Sequence, residues 1–245
     1  MGPIHFERGQ GQQGRAWDCS LVLIKYLEKN PEEVRGKGVL ELGCGVGLPG
    51  VAAAVLGASE VILTDMAAGL PAIERTIEFN PDVSDRLTGS ILQWGDETTA
   101  IEVLARVARG PISVILCSDL LYGDGGWGGC GAQQQDEGNV ESVGIGKAGG
   151  GGAADLLAIT LGAVCSVSSI SSDDGEVIVL SCHERRFSGD KGAYFFEIIG
   201  QRGFEVLANV PLASIDERYT DDCGISLTRI RRKRSGVTSA PVVAT

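Results

Sequence analysis

Residues 39–50 of the chain read VLELGCGVGLPG, an apolar run followed by glycines at every second position and then by a helix-forming segment. A short, continuously apolar strand is typical of a parallel sheet that is covered on both faces. Glycines at positions 43, 45 and 47 permit a tight turn and let a ligand approach the main chain, whereas an ordinary strand–helix turn needs fewer of them. Pro49 suits the first turn of the helix that follows. The segment therefore predicts an α/β fold with a ligand site at this turn.

The alternation of strands and helices continues along the chain. We predict strands, separated by helices, in the segments GVLELG, EVILTD, LTGSILQWGDE, PISVILCSDLLY, EVIVLSCHE, FEVLANV and GISLTRIRR. A first helix is predicted in WDCSLVLIKYLEKNP, with Asp18 as its N-terminal cap. Such an alternation is typical of a single doubly wound α/β domain, so the predicted architecture is a seven-stranded, mostly parallel sheet with helices on both faces.

Glycine-rich and polar segments flank and interrupt this domain. Residues 1–16 are rich in Gly and Gln and predict a flexible arm, which precedes a domain that spans residues 17–232. In residues 123–152, 13 of 30 positions are glycine. Such a segment cannot bury enough apolar surface to offset the entropy of ordering it, so we predict a flexible insertion there. Residues 233–245 predict a disordered tail.

The composition indicates a globular protein and narrows its partners. The net charge is −11, and an acidic surface repels phosphate backbones, so nucleic acid is not an expected partner. No apolar run reaches the roughly 18 residues that a membrane span needs, and we expect no membrane association. The seven cysteines form no C-x-x-C pair, and the two histidines, His5 and His183, are far apart, so we predict no metal site.

We expect a cytoplasmic location, because the sequence shows neither a signal peptide nor an N-glycosylation sequon. The basic segment RIRRKR, residues 229–234, leaves the nucleus as an alternative. We interpret this segment instead as the continuation of an edge strand into a solvated end.

Asp65 closes the predicted second strand, 18 residues beyond Gly47. In a parallel α/β sheet, ligands bind beyond the carboxyl ends of the strands, which is where both the glycine loop and Asp65 are expected. A carboxylate at this edge can accept hydrogen bonds from both hydroxyl groups of a ribose. The two features together predict a cofactor that contains a nucleoside.

The order of the glycines favours one class of nucleoside cofactor over another. Dinucleotide sites use G-x-G-x-x-G, but here Leu48 occupies the sixth position. Glu41 stands just before the loop, where its charge would oppose a pyrophosphate and favour an ammonium group. S-adenosylmethionine carries an amino group and a sulfonium but no phosphate, so charge matching favours it over NAD.

Four segments in this order, VLELGCGVGLPG, ILTD, LQWGDE and ILCSDLLY, resemble the seven-strand, Rossmann-like methyltransferases that depend on S-adenosylmethionine. The preceding RAWDCSLVLIKYLE narrows the resemblance to the family-16 protein-lysine methyltransferases, the METTL21-like group. The similarity runs from about Ala16 to Arg232 and is interrupted by the glycine-rich insertion. The sequence departs from the family in two ways: the glycine-rich insertion begins right after Tyr122, and Cys44 and Val46 stand where the family commonly has Ala and Thr. Both side chains are small enough for the loop.

The resemblance implies how the cofactor is held, with the glycine loop contacting the methionine and ribose parts through its main chain. Trp17 resembles the aromatic residue that packs near the sulfonium, whose charge is attracted to a ring face. Trp94 resembles the residue that flanks the adenine, where Asp96 or Glu97 accepts the adenine amino hydrogens. Ser118 lies where the family makes a main-chain contact. The predicted cofactor-binding residues are Trp17, Glu41, Gly43, Cys44, Gly45, Gly47, Asp65, Trp94 and Ser118.

The segment DLLY, residues 119–122, matches the D-x-x-Y motif of the family. The resemblance implies that Asp119 orients and desolvates the acceptor amine and that Tyr122 forms a wall of the lysine channel; these are the predicted catalytic residues. Methyltransferases that act on nucleobases use Asn/Asp-Pro-Pro-aromatic at this position, and the segment has no proline. The predicted function is therefore methylation of a lysine side chain in a protein, without a metal ion.

Three alternatives remain open at this point. The first is a non-catalytic module that binds the same cofactor, and the second is a nicotinamide-dependent oxidoreductase. The third keeps methyl transfer but changes the acceptor to histidine, an N-terminal amine or a small molecule. Chaperones, AAA ATPases and translation factors are substrates in the wider family, and the residues do not choose among them. We expect the protein to act as a monomer.

Overall fold

The computed structural model describes residues 1–8, 14–121, 152–171, 176–185, 191–219 and 223–232, and for residues 168–171 and 191 it describes the main chain alone. The predicted tail and the predicted insertion, except Gly152, lie outside the described residues. The same is true of residues 9–13 of the predicted N-terminal arm.

Strands and helices alternate as the sequence predicts. The strands are β1 (Gly38–Leu42), β2 (Glu60–Asp65), β3 (Leu87–Ile91), β4 (Ile112–Ser118), β5 (Ile178–Glu184), β6 (Phe204–Val210) and β7 (Ile225–Arg232). The helices are α1 (Asp18–Lys29), α2 (Leu48–Val55), α3 (Leu70–Glu78), α4 (Glu97–Leu104), α5 (Ala153–Ser171) and α6 (Lys191–Gln201). Within the described residues these strands form one sheet, so the prediction of a single doubly wound α/β domain is confirmed.

The sheet has the strand order β3-β2-β1-β4-β5-β7-β6. Strands β1 to β5 pair in parallel, and β7 is antiparallel to both of its neighbours, which confirms the predicted seven-stranded, mostly parallel sheet. Because parallel strands point the same way, β1, β2, β4 and β5 bring their last residues to one edge. The glycine loop, Asp65 and Ser118 therefore share this edge, which we call the carboxyl edge.

Helices cover both faces, and the strand residues alternate between two apolar clusters. Val39 contributes to the cluster with α1, α2 and α3, whereas Leu40 contributes to the cluster with α4, α5 and α6. All five residues of β1 are buried, as expected for a central strand of a parallel sheet. The two clusters together fix the central strands, and with them the positions of the loops at the carboxyl edge.

The prediction that RIRRKR continues an edge strand is wrong for the part that the structure describes. Arg229 and Arg231 belong to β7, which lies between β5 and β6 in the sheet. Edge strands often carry charged side chains, and this pattern suggested an edge. Here the charges are paired instead: Arg229 Nε lies 3.1 Å from a carboxylate oxygen of Glu33, and Arg231 pairs with Glu176 and Glu205.

Asp18 is not the cap of α1, as the sequence had predicted. The cap position is occupied by Trp17, whose main chain is extended, and the structure assigns no side-chain hydrogen bond to the cap. Asp18 is instead the first helical residue, and its carboxylate is exposed in the first turn. A negative charge there still favours the positive end of the helix dipole.

The N-terminal residues contact both α1 and α3, and the N-terminal amino group lies 3.8 Å from the Glu28 carboxylate on α1. Asn80 is buried just beyond this helix, and its side chain accepts a hydrogen bond from the His5 N–H (3.0 Å) and donates one to the His5 carbonyl (2.6 Å). Glu7 forms an ion pair with Arg75 on the same helix. These contacts join the N-terminal residues to the face of the sheet that α1 covers.

Candidate functional site

The glycine loop takes a conformation that few other residues adopt. Gly43, Gly45 and Gly47 have φ values of 57°, 54° and 69°, all in the left-handed region. A Cβ atom on Gly43 would lie 2.8 Å from Leu120 Cδ2 and 2.9 Å from Trp94 Cζ2. The loop therefore requires glycine for its backbone, and at Gly43 also for the side chains packed against it.

Three N–H groups of this loop donate hydrogen bonds to acceptors of the protein itself. The Cys44 N–H donates to the Thr64 carbonyl (2.9 Å), the Gly45 N–H to Asp65 Oδ2 (2.8 Å) and the Gly47 N–H to the Cys44 carbonyl (2.7 Å). Loops that hold phosphate point several N–H groups at the anion. Because these three donors already have protein acceptors, they are not available to hold a phosphate group.

Asp65 is buried at the end of β2, and both of its oxygens bind main-chain groups. Oδ2 accepts from the Gly45 N–H and Oδ1 from the Met66 N–H, each at 2.8 Å. Burial raises the pKa of this carboxyl above its ordinary value, and the two hydrogen bonds partly oppose the shift. Each oxygen can accept a further hydrogen bond, so the group is suited to a ligand with a pair of hydroxyl donors.

Glu41 lies beneath the loop, and only 1% of it is exposed. Its Oε2 accepts a hydrogen bond from the Gly50 N–H (2.7 Å) in the first turns of α2, while its Oε1 has no hydrogen-bond partner among the described residues. Burial raises the pKa of Glu41 to about 8; the Gly50 hydrogen bond opposes the shift and the charge of Asp65 adds to it. A buried acceptor without a donor is unfavourable. A cation at this loop would favour the ionised form of Glu41, so the two neighbouring carboxyl groups favour a cationic group or hydroxyl donors there and disfavour an anion.

The raised pKa of Glu41 predicts a pH-dependent stability. The folded state holds this proton more tightly than the unfolded state, so its stabilising effect is complete below the ordinary pKa and is lost as the pH rises through about 8. Across this window the free energy of unfolding should fall by up to about 1.4 kcal/mol per pH unit through this group. Glu41→Gln removes the titrating group. In urea unfolding from pH 5 to 9, the free energy of unfolding of the variant should therefore rise relative to that of wild type as the pH increases. Parallel curves for the two proteins would contradict this assignment.

The start of α1 is joined to the end of β4. The hydroxyl oxygens of Ser20 and Ser118 lie 2.9 Å apart in the interior. Trp17, partly buried, is one turn before Ser20, and its carbonyl accepts the Ser20 N–H at 2.9 Å. Sequence reasoning missed Ser20, although its spacing of three residues from Trp17 on a helix was the available signal. The contact places Trp17 at the carboxyl edge with Ser118.

Asp119 follows β4 and is 6% exposed. Its φ is +58°, the one positive value found among the described residues other than glycine, and its N–H donates to the Cys182 carbonyl on β5 (2.7 Å). Aspartate tolerates the left-handed region better than most residues, but such positions still carry strain and cluster at functional sites. The backbone turn re-aims the chain as it leaves the sheet. Tyr122, the other predicted catalytic residue, lies outside the described residues.

Asp119 shares its surroundings with a second carboxylate. The buried thiol of Cys19 on α1 has a raised pKa, first through its hydrogen bond to Cys182, then through burial and the charges of Asp119 and Glu184. Because Ser118 pairs with Cys182 in the sheet, Asp119 just after β4 and Glu184 at the end of β5 lie at neighbouring strand ends. Sequence reasoning assigned no role to Glu184. This part of the carboxyl edge is acidic, which suits a cationic group.

Trp94 lies in the connection between β3 and α4. It is buried in the cluster with α5 and α6, and its ring lies against Gly43 as described above. Asp96 was one of two candidates for the adenine amino group, but its carboxylate caps α4, accepting from the Thr99 N–H (3.0 Å) and hydroxyl (2.6 Å). The other candidate, Glu97, is exposed in the first turn of α4.

A further cavity of about 600 Å³ lies between α6 and the strands β6 and β7 at the same edge of the sheet. Its lining includes His183, Phe196, Val210 and Ser226. The described parts of the chain contain no group of three or more His, Cys, Asp or Glu side chains that could hold a metal ion. None of the described helices is both long enough and apolar enough to cross a bilayer.

Comparisons with known proteins are independent of this geometry. A family model described as lysine methyltransferase matches residues 3–125. Protein N-lysine methyltransferase METTL21A of Mus musculus is 34% identical over 117 residues, which is 47% of this chain and 50% of the relative. Histone-arginine methyltransferase METTL23 of Xenopus laevis is 38% identical over 109 residues, 43% of each chain. The chain thus matches about half the length of these relatives or less.

The fold also matches a solved structure. Magnesium protoporphyrin IX methyltransferase from Synechocystis PCC 6803, solved with bound S-adenosylmethionine, superimposes with a TM-score of 0.52 and 15% identity. The match covers 92% of this chain and 87% of that one. At this level of identity the likeness establishes the fold, and the chemistry must be argued from the site itself.

Proposed function

The chain belongs to the lysine methyltransferase family, and we propose that it transfers the methyl group of S-adenosylmethionine to a lysine side chain of another protein. The observation that carries the proposal is the glycine loop with its two buried carboxylates. Its N–H groups at Cys44, Gly45 and Gly47 are bonded within the protein, while Asp65 and Glu41 offer acceptors, and a bound cation would favour the ionised form of Glu41. A nucleoside without phosphate but with a cationic amino acid end has the matching chemistry.

The residues at the loop fit the parts of this cofactor. Asp65 has the acceptor capacity for the two ribose hydroxyls, and the Oε1 of Glu41 would accept from the ammonium, whose charge would favour the ionised form of this carboxyl. Trp17, at the start of α1, offers a ring face to the sulfonium, and the loop that carries Trp94 would hold the adenine. When bound, the cofactor supplies an electrophilic methyl group.

The acidic groups at the ends of β4 and β5 support an amine as the acceptor of the methyl group. A lysine ammonium must lose one proton from Nζ before its lone pair can attack a methyl group. In the proposal, the Asp119 carboxylate accepts a hydrogen bond from Nζ and orients the amine, and Glu184 adds to the acidic surroundings that attract the cation. Asp119 is held for this role by its left-handed backbone and by the bond to Cys182.

The choice of lysine as the methylated residue needs its own argument, because the relatives named above act on different residues. One is a lysine methyltransferase and the other an arginine methyltransferase. The family match ends at residue 125, so β5 to β7, with Glu184, lie beyond it. The description of the family and the Asp119 site support lysine.

The test is to incubate the purified protein with methyl-labelled S-adenosylmethionine and a cell lysate, and to map the labelled sites by mass spectrometry. Methyl groups on lysine side chains are the expected result. Methyl groups on arginine, histidine or an N-terminal amine would overturn the choice of acceptor alone. Binding of S-adenosylhomocysteine without any labelled protein would indicate a non-catalytic module, and stabilisation by NADH instead would overturn the cofactor.

A further inference from the structure

Thr160 lies on α5 and is fully buried. Its hydroxyl oxygen accepts a hydrogen bond from the Gly95 N–H at 2.9 Å and donates one to the Leu156 carbonyl at 3.0 Å. The hydroxyl therefore uses both its donor and an acceptor site, and one of the two bonds leaves its own helix. The partner that it reaches, Gly95, belongs to the connection between β3 and α4.

Gly95 is held by α5 in a second way. Its φ is +85°, and a Cβ atom there would lie 2.7 Å from Leu156 Cδ2, so the glycine main chain packs directly on this helix. The next residue back, Trp94, is buried with its ring against Gly43 of the glycine loop. Contacts thus run without a gap from Thr160 through Gly95 and Trp94 to the loop.

We propose that Thr160 is a positioning residue for the nucleoside end of the cofactor, acting through Gly95 and Trp94. The inference rests on the proposed function, since it takes S-adenosylmethionine as the ligand. The Gly95 N–H needs an acceptor to hold its left-handed conformation beside α5, and the Thr160 hydroxyl is that acceptor. Without it the connection loses a bond that holds the residue next to Trp94 against α5, and the surface on which the nucleoside binds loosens.

The alternative is that the Thr160 hydroxyl acts only through its bond to the main chain of α5, and Ser166 on the same helix provides the control for that role. Ser166 also donates a hydrogen bond to the carbonyl four residues before it, that of Gly162 (2.7 Å), but it is exposed and is bonded to Arg232 and not to the β3–α4 connection. Ser166→Ala removes this helical bond and the exposed contact with Arg232, and it leaves the β3–α4 connection unchanged. Thr160→Val keeps the shape of the side chain and removes the bond to Gly95, and Thr160→Ser restores the hydroxyl.

The experiment is titration calorimetry of these variants with S-adenosylhomocysteine and with 5′-methylthioadenosine, which lacks the amino acid part. Thr160→Val should raise the Kd of both ligands by the same factor, about tenfold, because it leaves the Gly95 N–H without its partner. Thr160→Ser and Ser166→Ala should bind both ligands like wild type. Thermal unfolding of each variant reports whether the protein is folded at the temperature of the titration.

Two results of the titrations would overturn the positioning role of Thr160. A folded Thr160→Val that binds both ligands like wild type overturns the proposal, and so does weaker binding of S-adenosylhomocysteine alone, which would place the effect at the amino acid end. Failure of wild type to bind either ligand overturns the proposed function instead. If Thr160→Val does not fold, the Gly95 amide of wild type must exchange more slowly with S-adenosylhomocysteine bound; unchanged exchange overturns the proposal.

Discussion

Asp119→Asn should lower the rate of methyl transfer at least about 100-fold while leaving the affinity for S-adenosylhomocysteine unchanged. Asparagine keeps the size of the side chain and tolerates the φ of +58° found at this position, so the backbone turn after β4 is preserved. What is lost is the negative charge that orients the acceptor amine. Label transfer into lysate proteins measures the rate, and titration calorimetry measures the affinity.

The same charge change far from the carboxyl edge serves as the control. Asp82 is exposed in the turn after α3, so Asp82→Asn should transfer label like wild type. Asparagine is preferred over alanine at position 119 because alanine in the left-handed region adds strain of its own, about 1–2 kcal/mol. Wild-type rates in Asp119→Asn would remove this residue from the acceptor site, and an equal loss of cofactor affinity would move its role to the cofactor.

Gly43→Ala should destabilise the protein by about 2–5 kcal/mol and abolish measurable binding of S-adenosylhomocysteine. A side chain at φ +57° is strained, and the new methyl group would overlap Leu120 Cδ2 at 2.8 Å and the Trp94 ring at 2.9 Å. Relief of the overlap requires Trp94 or the loop itself to move, and both belong to the proposed cofactor site. Urea unfolding and titration calorimetry measure the two effects.

Gly36→Ala separates backbone strain from overlap. Gly36 has a φ of +73°, but a Cβ atom there would meet nothing within 4 Å. This variant should lose only the conformational part, about 1–2 kcal/mol, and should bind S-adenosylhomocysteine like wild type. Equal losses of stability in the two variants would mean that the packing of Leu120 and Trp94 on Gly43 contributes nothing.

The predictable parts of the fold are those that a short stretch of the sequence specifies. The glycine loop and Asp65 lie at the ends of strands whose apolar runs are unmistakable in the sequence, and parallel strands must bring such ends to one edge. The direction of the loop N–H groups was not predictable. It depends on Thr64 and Asp65, which are about 20 residues away in the chain and meet the loop only once β1 and β2 pair.

Errors and omissions occurred where partners are distant in sequence. The charges of Arg229 and Arg231 suggested an edge strand because their partners Glu33 and Glu205 carry no local signal. The contact between Ser20 and Ser118 and the left-handed turn at Asp119 likewise depend on how α1, β4 and β5 come together. The ligand contacts assigned to Trp17, Trp94, Ser118 and Tyr122 stay predictions until a complex is studied.

The interior position of β7 has a consequence for how the polypeptide is made. On the ribosome β6 emerges before β7, yet β6 reaches the sheet only through β7. Until residues 225–232 have left the exit tunnel, β5 keeps one open edge and β6 has no strand to join. A nascent chain that already holds the whole glycine loop must therefore wait, with unpaired strand edges exposed, until β7 can complete the sheet.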